Sequence, residues 1–348
     1  MPALAVADAL RARGAEVSFL GTRERAEAQL VSAAGYEIDF LKVRGLDRRN
    51  PVRAAGALAL AVRAVPAARK VLRERGAEAL LGGGGYVAGA GGLAAVSLGL
   101  PLVLTEADRH LGLTNRWLAR RARRVCLAFP ISGREGERYL VTGRPVPAAI
   151  GTADRDAVRR RFEVAADDRC LLVFGGSQGA RSINLAALDA FAHTASKERS
   201  YHVLHIAGHR DYAEAHRALE AVGGVERYTL LSYEPDLADA LAASDLVLAR
   251  AGGSIFEIAA AGRPAILVPY PYASARHQHS NAEWMAHAGA AVAVEDSELN
   301  GELVSRLAGE LLADPPRLAR MGAASASLAK PEAADRVAAE VLSAAGDG

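Results

Sequence analysis

The sequence predicts an α/β protein of two doubly wound, parallel-sheet domains, and three observations predict it. Short β-type runs alternate with helical ones along the chain. One plan, a strand, a glycine turn, a helix, Gly-x-Pro and a second strand, occurs twice. Its copies are "ALLGGGGYVAGAGGLAAVSLGLPLVLTEA" (residues 79–107) and "LVLARAGGSIFEIAAAGRPAILVPYP" (residues 246–271). At 348 residues the chain is also long enough for two cores.

The residues from Pro2 read as a helix that runs into the strand "EVSFLG". "EALLGG" and "PLVLTEA" supply the next two strands of the first domain. Prolines and glycines in "VTGRPVPAAIGTADRDAVRRRF" precede a charged helix start and place a linker at 143–153. The expected domains are therefore 1–148 and 149–330. "CLLVFGG", "YHVLHIAG", "DLVLARAGG" and "PAILVPYP" are the strands of the second. "AKPEAADRVAAEVLSAA" reads as a terminal helix after Pro331, so 331–348 is expected to pack back on the first domain. Ligands of such folds sit outside the carboxyl ends of the strands, here in a cleft between the two domains.

Composition narrows the function. Lys and Arg exceed Asp and Glu by 42 to 40, too close to balance for a general nucleic-acid-binding surface, and no nucleic-acid partner is expected. Cys126 and Cys170 stand far apart without a CxxC or a histidine pattern, so no disulfide framework or zinc site is expected, and a reducing cytoplasm fits. No apolar run is long enough to span a bilayer, and the amino terminus lacks the regions of a signal peptide. A soluble protein or one lying on a membrane surface is expected.

The glycine turns carry the chemistry. In "VFGGSQGARSIN", Gly175, Gly176 and Gly179 clear side chains from a strand-to-helix turn, so N–H groups and the helix start can face a phosphate, with Ser177 adding a hydroxyl. The Walker lysine and the GxGxxG spacing are both absent. Tight packing alone is the alternative reading. In "RAGGSIFEIAAAG", Gly252, Gly253 and Ser254 repeat the turn, and Glu257 one turn into the helix can accept from the vicinal hydroxyls of a ribose. Its other role would be to complement the helix dipole. "LLGGGGYVAG" carries a GxGxxA-like spacing at Gly83, Gly85 and Ala88 with Glu106 downstream, which keeps a dinucleotide reading open. Asp154 and Asp156 form a DxD, as in metal-dependent sugar transferases, at a place where acids commonly begin a helix; no metal and no cofactor are expected.

Six stretches, in order, make the chain resemble the MurG family: "GGYVAGAGGLAA", "TEADRHLGLTNRWLARRARRVCLAFP", "TGRPVP", "GGSQGARSIN", "SDLVLARAGGSIFEIAAAGRPAILVPYP" and "HQHSNA". The resemblance implies the two-domain GT-B glycosyltransferase fold and inverting transfer of N-acetylglucosamine (GlcNAc) from UDP-GlcNAc to undecaprenyl-linked lipid I, giving lipid II for peptidoglycan synthesis. By position it brings Ser177 and Gln178 to the donor diphosphate and sugar and Glu257 to the ribose. Gln278 and Asn281 fall to the GlcNAc hydroxyls, and Gly252, Gly253, Ser254 and Ile255 to the nucleotide. His277, beside Gln278, is a further donor contact.

The chain departs from the family at three places. Family members begin with a strand and a GGTGGH-like loop whose histidine is a candidate for activating the acceptor, whereas Met1-Pro2 enters the first helix directly. The expectation is that Met1 is an internal methionine and the natural protein extends upstream. If the chain were complete as written, poor stability and little or no transfer would be expected. Where the family reads HEQN this chain has "TEAD", leaving Glu106 as the acid/base candidate, or else a strand-end carboxylate held by neighbouring arginines. Pro147 replaces the arginine that ends the family's GNPVR, and Arg144 is the substitute contact for the nucleotide. His110 and His279 are expected to face solvent or to be satisfied in the core.

A polyprenyl acceptor requires docking at an anionic membrane surface. "NPVRAAGALALAVRAVPAARKVLRERG" combines an apolar face with Arg63, Arg69, Lys70 and Arg73, and Trp117 stands beside a second arginine cluster. Ordinary amphipathic helices packed on a sheet are the alternative. The expected location is peripheral, on the cytoplasmic face of the cell membrane. Other functions left open are a UDP-sugar transferase with another lipid acceptor, such as diacylglycerol, and a nucleotide-sugar-binding protein without catalysis. The 2-epimerases of the same fold need an additional acidic set not found here.

Overall fold

The computed structural model describes residues 2–23, 26–43, 51–176, 179–192, 200–223, 225–273 and 276–346. The chain divides into two compact units, one of Met1–Val146 with Lys330–Gly348 and one of Pro147–Ala329.

The first unit runs α1 (Pro2–Arg11), β1 (Ser18–Gly21), α2 (Ala26–Ala33), β2 (Glu37–Phe40), α3 (Pro51–Glu74), β3 (Leu80–Gly82) and α4 (Gly85–Leu98). It continues through β4 (Leu102–Glu106), α5 (Leu113–Leu118), β5 (Arg124–Leu127) and β6 (Tyr139–Val141). All pairings are parallel, and among the described residues they form a two-stranded sheet β1-β2 and a four-stranded sheet β3-β4-β5-β6.

One face of the first unit is covered by α3 and α4, the other by α1 and a helix from the end of the chain. Ala64, Ala68 and Leu72, one helical turn apart, meet Ala90, Ala94 and Ala95, and these small residues let α3 and α4 approach closely. Gly92 serves α5 in the same way, since a Cβ there would run into Leu118. On the opposite face Val6 and Leu10 of α1 share a core with Val103, Cys126, Val337 and Val341. Burial pushes the Cys126 thiol up to about 12, so it packs as a small apolar group.

The second unit runs α6 (Arg155–Arg161), β7 (Arg169–Phe174), α7 (Arg181–Phe191), β8 (Tyr201–Ile206), α8 (Tyr212–Ala221), β9 (Tyr228–Leu231) and α9 (Leu237–Ala243). It continues through β10 (Leu246–Arg250), α10 (Ile255–Ala260), β11 (Ala265–Val268), α11 (His277–His287), β12 (Ala291–Ala293), α12 (Gly301–Leu312) and α13 (Pro315–Ser327). The last helix, α14 (Ala333–Gly346), returns to the first unit. A single parallel sheet of six strands, in the order β12-β11-β10-β7-β8-β9, carries the second unit. Its central strands β7, β10 and β11 carry apolar residues on both faces, as a sheet sandwiched between helices requires: Leu171, Val173, Leu246, Leu248, Ile266 and Val268 lie in one core with α7 and α12, and Leu172, Val247 and Leu267 are buried on the opposite face.

The repeated Gly-x-Pro has one structural meaning in both units. Gly99 ends α4 with φ +73° and Gly262 follows α10 with φ +61°, left-handed positions that favour glycine. Pro101 and Pro264 then lend their carbonyls to Leu80 and Val247 in the adjacent strands. Asp154 caps α6, its carboxylate accepting from the N–H groups of Asp156 and Ala157, so the DxD stands at a helix start.

Candidate active site

In the second unit the glycine turns fall at the carboxyl ends of β7 and β10, neighbouring strands of the sheet. Behind β7, a side chain on Gly175 would collide with Ala180, and one on Gly179 with the Ala207 carbonyl. Gly176 and Gly179 take φ of +95° and +80°, and the Gly179 N–H closes the turn on the Gly176 carbonyl at 2.9 Å. Ser177 and Gln178 lie outside the described residues.

The far side of this turn is held by a buried polar chain. Asn184 donates to the Ala207 carbonyl and to Asp211, and its Oδ1 lies 3.0 Å from Nε2 of His205. The other ring nitrogen of His205 meets the Tyr228 hydroxyl at 2.7 Å. Burial pulls the His205 imidazole down to about 4, so it works as a neutral connector. Beside it, Arg210 holds the Asp211 carboxyl below the usual carboxylate range.

Behind β10, Gly252, Gly253 and Ser254 lead into α10. Ile255 is buried at its start, and Glu257 is half-buried in its first turn. Helix α11 runs beside this turn, and its residues at positions i and i+3 face it. Gln278 Oε1 accepts from the Tyr270 N–H at 2.9 Å, while its Nε2 lies 3.7 Å from where a Cβ on Gly252 would stand. Asn281 is buried, and its Nδ2 donates to the Ala251 carbonyl at 3.0 Å, bracing the turn from behind. His277 is half-buried at the start of α11; His279 is buried, with Nε2 at 3.2 Å from Glu295. The fold thus gathers Gly252, Gly253, Ser254, Ile255, Glu257, Gln278 and Asn281 into one neighbourhood.

In the first unit, Glu106 closes β4 and is buried. Among the described residues no arginine holds it. The 107–112 loop folds back so that the N–H groups of Ala107, Asp108 and Gly112 and Nδ2 of Asn115 converge on its carboxylate at 2.8–3.2 Å. The backbone amides nearest a strand end are closer donors than side chains on solvent-facing helices. Arg144 is half-buried and belongs to this unit, as do Arg63, Lys70 and Arg73, exposed on α3, and half-buried Arg69. Trp117 on α5 is 75% exposed. His110 is exposed. Among the described residues no helix is long and apolar enough to cross a membrane, and no group of three or more His, Cys, Asp or Glu could hold a metal ion.

Reading the sequence alone missed Arg250, Ser182, Asp296 and Asn115. Nη2 of Arg250 donates to Ser182 Oγ at 2.7 Å, and its Nη1 to Asp296 Oδ1 at 2.5 Å. The available signal was a charge ending an otherwise apolar buried strand, "LVLAR".

Two parallel-sheet units with glycine turns at their strand ends define the class, a protein of two doubly wound domains of the nucleotide-binding kind. The Glycosyltransferase family 28 N-terminal domain matches residues 1–127, and the Glycosyltransferase family 28 C-terminal domain matches residues 170–337. Two relatives carry the name UDP-N-acetylglucosamine–N-acetylmuramyl-(pentapeptide) pyrophosphoryl-undecaprenol N-acetylglucosamine transferase. That of Moorella thermoacetica is 40% identical over 98% of this chain and 94% of its own length. That of Methylococcus capsulatus is 40% identical over 99% and 95%. The Acinetobacter baumannii MurG crystal structure, 29% identical, superposes with a TM-score of 0.74 over 98% of this chain and 95% of that one. A putative UDP-N-acetylglucosamine 2-epimerase from Listeria monocytogenes, 14% identical with a TM-score of 0.68 over 96% and 98%, shares the fold. The chain belongs to the MurG family of GT-B glycosyltransferases.

Proposed function

We propose that this chain transfers GlcNAc from UDP-GlcNAc to the undecaprenyl-linked acceptor lipid I, forming lipid II at the cytoplasmic face of the membrane. The observation that carries the reading is the placement of Gln278 and Asn281 against the Gly252–Ser254 turn, in a chain about 40% identical to such transferases over nearly its whole length.

In this reading the diphosphate lies against the two glycine turns and the start of α7, the ribose on Glu257, and the sugar hydroxyls on Gln278. Ser177 and Gln178 complete the diphosphate and sugar contacts, His277 adds one to the donor, and Arg144 one to the nucleotide. The acceptor hydroxyl attacks C1 of GlcNAc, the bond from C1 to the diphosphate oxygen breaks, and the anomeric configuration inverts. Charge builds on the departing diphosphate, where backbone N–H dipoles and a helix start stabilise it. The hydroxyl proton goes to a base, for which Glu106 is the candidate. To accept that proton, Glu106 has to release one of its four donors.

Docking rests on exposed groups of the first unit. Val62 on α3, Leu93 on α4, and Leu113 and Trp117 on α5 are exposed apolar groups on helices that share a packed core, beside Arg63, Arg69, Lys70 and Arg73. Flotation with anionic but not neutral vesicles is the expected result.

The deciding experiment is a calorimetric titration with UDP-GlcNAc, with UDP-glucose and NADH as comparisons, followed by transfer of labelled GlcNAc to lipid I. Selective binding of UDP-GlcNAc is expected. A chain that melts cooperatively yet binds no UDP-GlcNAc would overturn the reading.

A further inference from the structure

We infer that Arg250 is a positioning residue for the donor sugar, acting through the loop after β11 that orients Gln278. The inference rests on the proposed use of UDP-GlcNAc and concerns how the same site tells the sugar from the nucleotide.

Arg250 is the last residue of β10 and pairs in register with Val268, the last residue of β11. Its side chain is only 12% exposed. Nη1 donates to the carbonyls of Val268 and Pro269, both at 3.3 Å, and to Asp296 Oδ1. Nη2 donates to Ser182 Oγ, and the Ser182 hydroxyl donates in turn to Asp296 at 2.7 Å. One guanidinium therefore ties together the first turn of α7, the end of β11 and the segment before α12, while its own backbone leads into the Gly252 turn.

The consequence reaches Gln278. The Arg250 guanidinium stands 5.5 Å over the Tyr270 ring, and the Tyr270 N–H is the donor that holds Gln278 Oε1. With Oε1 so occupied, the Gln278 Nε2 group is the one presented on the Gly252 side. A planar five-donor fork can hold carbonyls, a hydroxyl and a carboxylate at once, whereas a lysine ammonium at the same place is a point charge on a flexible stem. Replacing Arg250 by lysine frees the Pro269–Tyr270 backbone, so the Gln278 amide loses its fixed orientation. The Asn281 brace on the Ala251 carbonyl is untouched. The loss therefore falls on sugar binding rather than on UDP binding.

The test is titration of the full chain with UDP-GlcNAc and with UDP, for the unaltered protein and for R250K, Q278A and the double variant. R250K is expected to weaken UDP-GlcNAc about tenfold and UDP less than about threefold. On the Q278A background it should add less than about threefold, because both changes remove one interaction. Equal weakening of both ligands, a full tenfold loss persisting in the double variant, or no loss at all would each overturn the inference. Should R250K not melt as a folded protein, D296N supplies the same test: it keeps the shape and removes the charged partner of Arg250. An unchanged ratio of UDP-GlcNAc to UDP affinity in D296N then refutes the role. Failure of the unaltered chain to bind UDP-GlcNAc is the separate outcome that brings down the proposed function and this inference with it.

Discussion

At the β3–α4 corner of the first unit, Gly84 and Gly85 hold φ of +83° and +76°, and the charged residue closing the neighbouring strand, Glu106, is turned back on its own loop. At the β10–α10 corner of the second unit, Gly252 and Gly253 are absent from the positive-φ glycines, and the charged strand end, Arg250, reaches across to its neighbours. The sequence plan of the two corners is the same. In the first, glycine answers a backbone requirement and the charge stabilises a loop. In the second, glycine leaves room beside Gln278, and the charge ties separate segments around the proposed donor site. A shared scaffold thus does not imply shared chemistry; the partners of the strand-end charge decide it.

Acid is the strongest way to separate the two units. His205 titrates at about 4 in the folded second unit, and at its ordinary value of about 6.5 once unfolded. Between these values the unfolded chain binds the extra proton, so stability falls as pH drops from about 6.5 toward 4, by up to about 3 kcal/mol. Thermal melts across that range should show the loss, and His205→Gln should flatten it. An acid limb unchanged in that variant would detach the loss from His205.

The next largest effect is expected in the first unit. Glu106→Ala leaves four N–H donors without their carboxylate and should cost about 2–3 kcal/mol in denaturant unfolding. Glu106→Gln keeps the shape and one acceptor oxygen, and should cost less. If it keeps most of the stability while transfer collapses, Glu106 serves as the base; if transfer falls only with stability, it is a brace.

Glycine substitutions sharpen the contrast at smaller scale. Gly84→Ala places a Cβ on a left-handed residue and should cost about 1–2 kcal/mol. Gly252→Ala meets nothing nearer than Gln278 Nε2 at 3.7 Å, so stability should move by less than about 0.5 kcal/mol. The added methyl would nonetheless stand where Gln278 faces the turn, and UDP-GlcNAc affinity should fall. Equal melting losses in the two variants would erase the distinction between the corners.

Much of the fold was legible because buried parallel strands are apolar on both faces. The seven runs read as strands, from "EVSFLG" to "PAILVPYP", correspond to β1, β3, β4, β7, β8, β10 and β11. The strands that escaped notice were β2, β6, β9 and β12, all at sheet edges, and β5. An edge strand is short and half-covered, so its apolar signal is weak, while β5 hides behind the arginines of "RRARRVCL". The grouping of Gln278 and Asn281 with the Gly252 turn was legible because glycines and polar residues punctuate apolar runs. The orientation of those amides was not, since it depends on the Tyr270 N–H and the Ala251 carbonyl, which any sequence would offer.

By itself the sequence determined the alternation of strand and helix, the two glycine turns at β7 and β10, the Gly-x-Pro ends and the family. These follow from local periodicity, backbone freedom and the order of short motifs, all properties of neighbouring residues. Only the tertiary structure decided that Glu106 is encircled by backbone N–H groups rather than arginines, that Asn281 braces the turn from behind, and that Arg250 joins Ser182, Pro269 and Asp296. Those partners lie up to 114 residues apart in the chain, and hydrogen bonds between them exist only after the sheet has set strand beside strand.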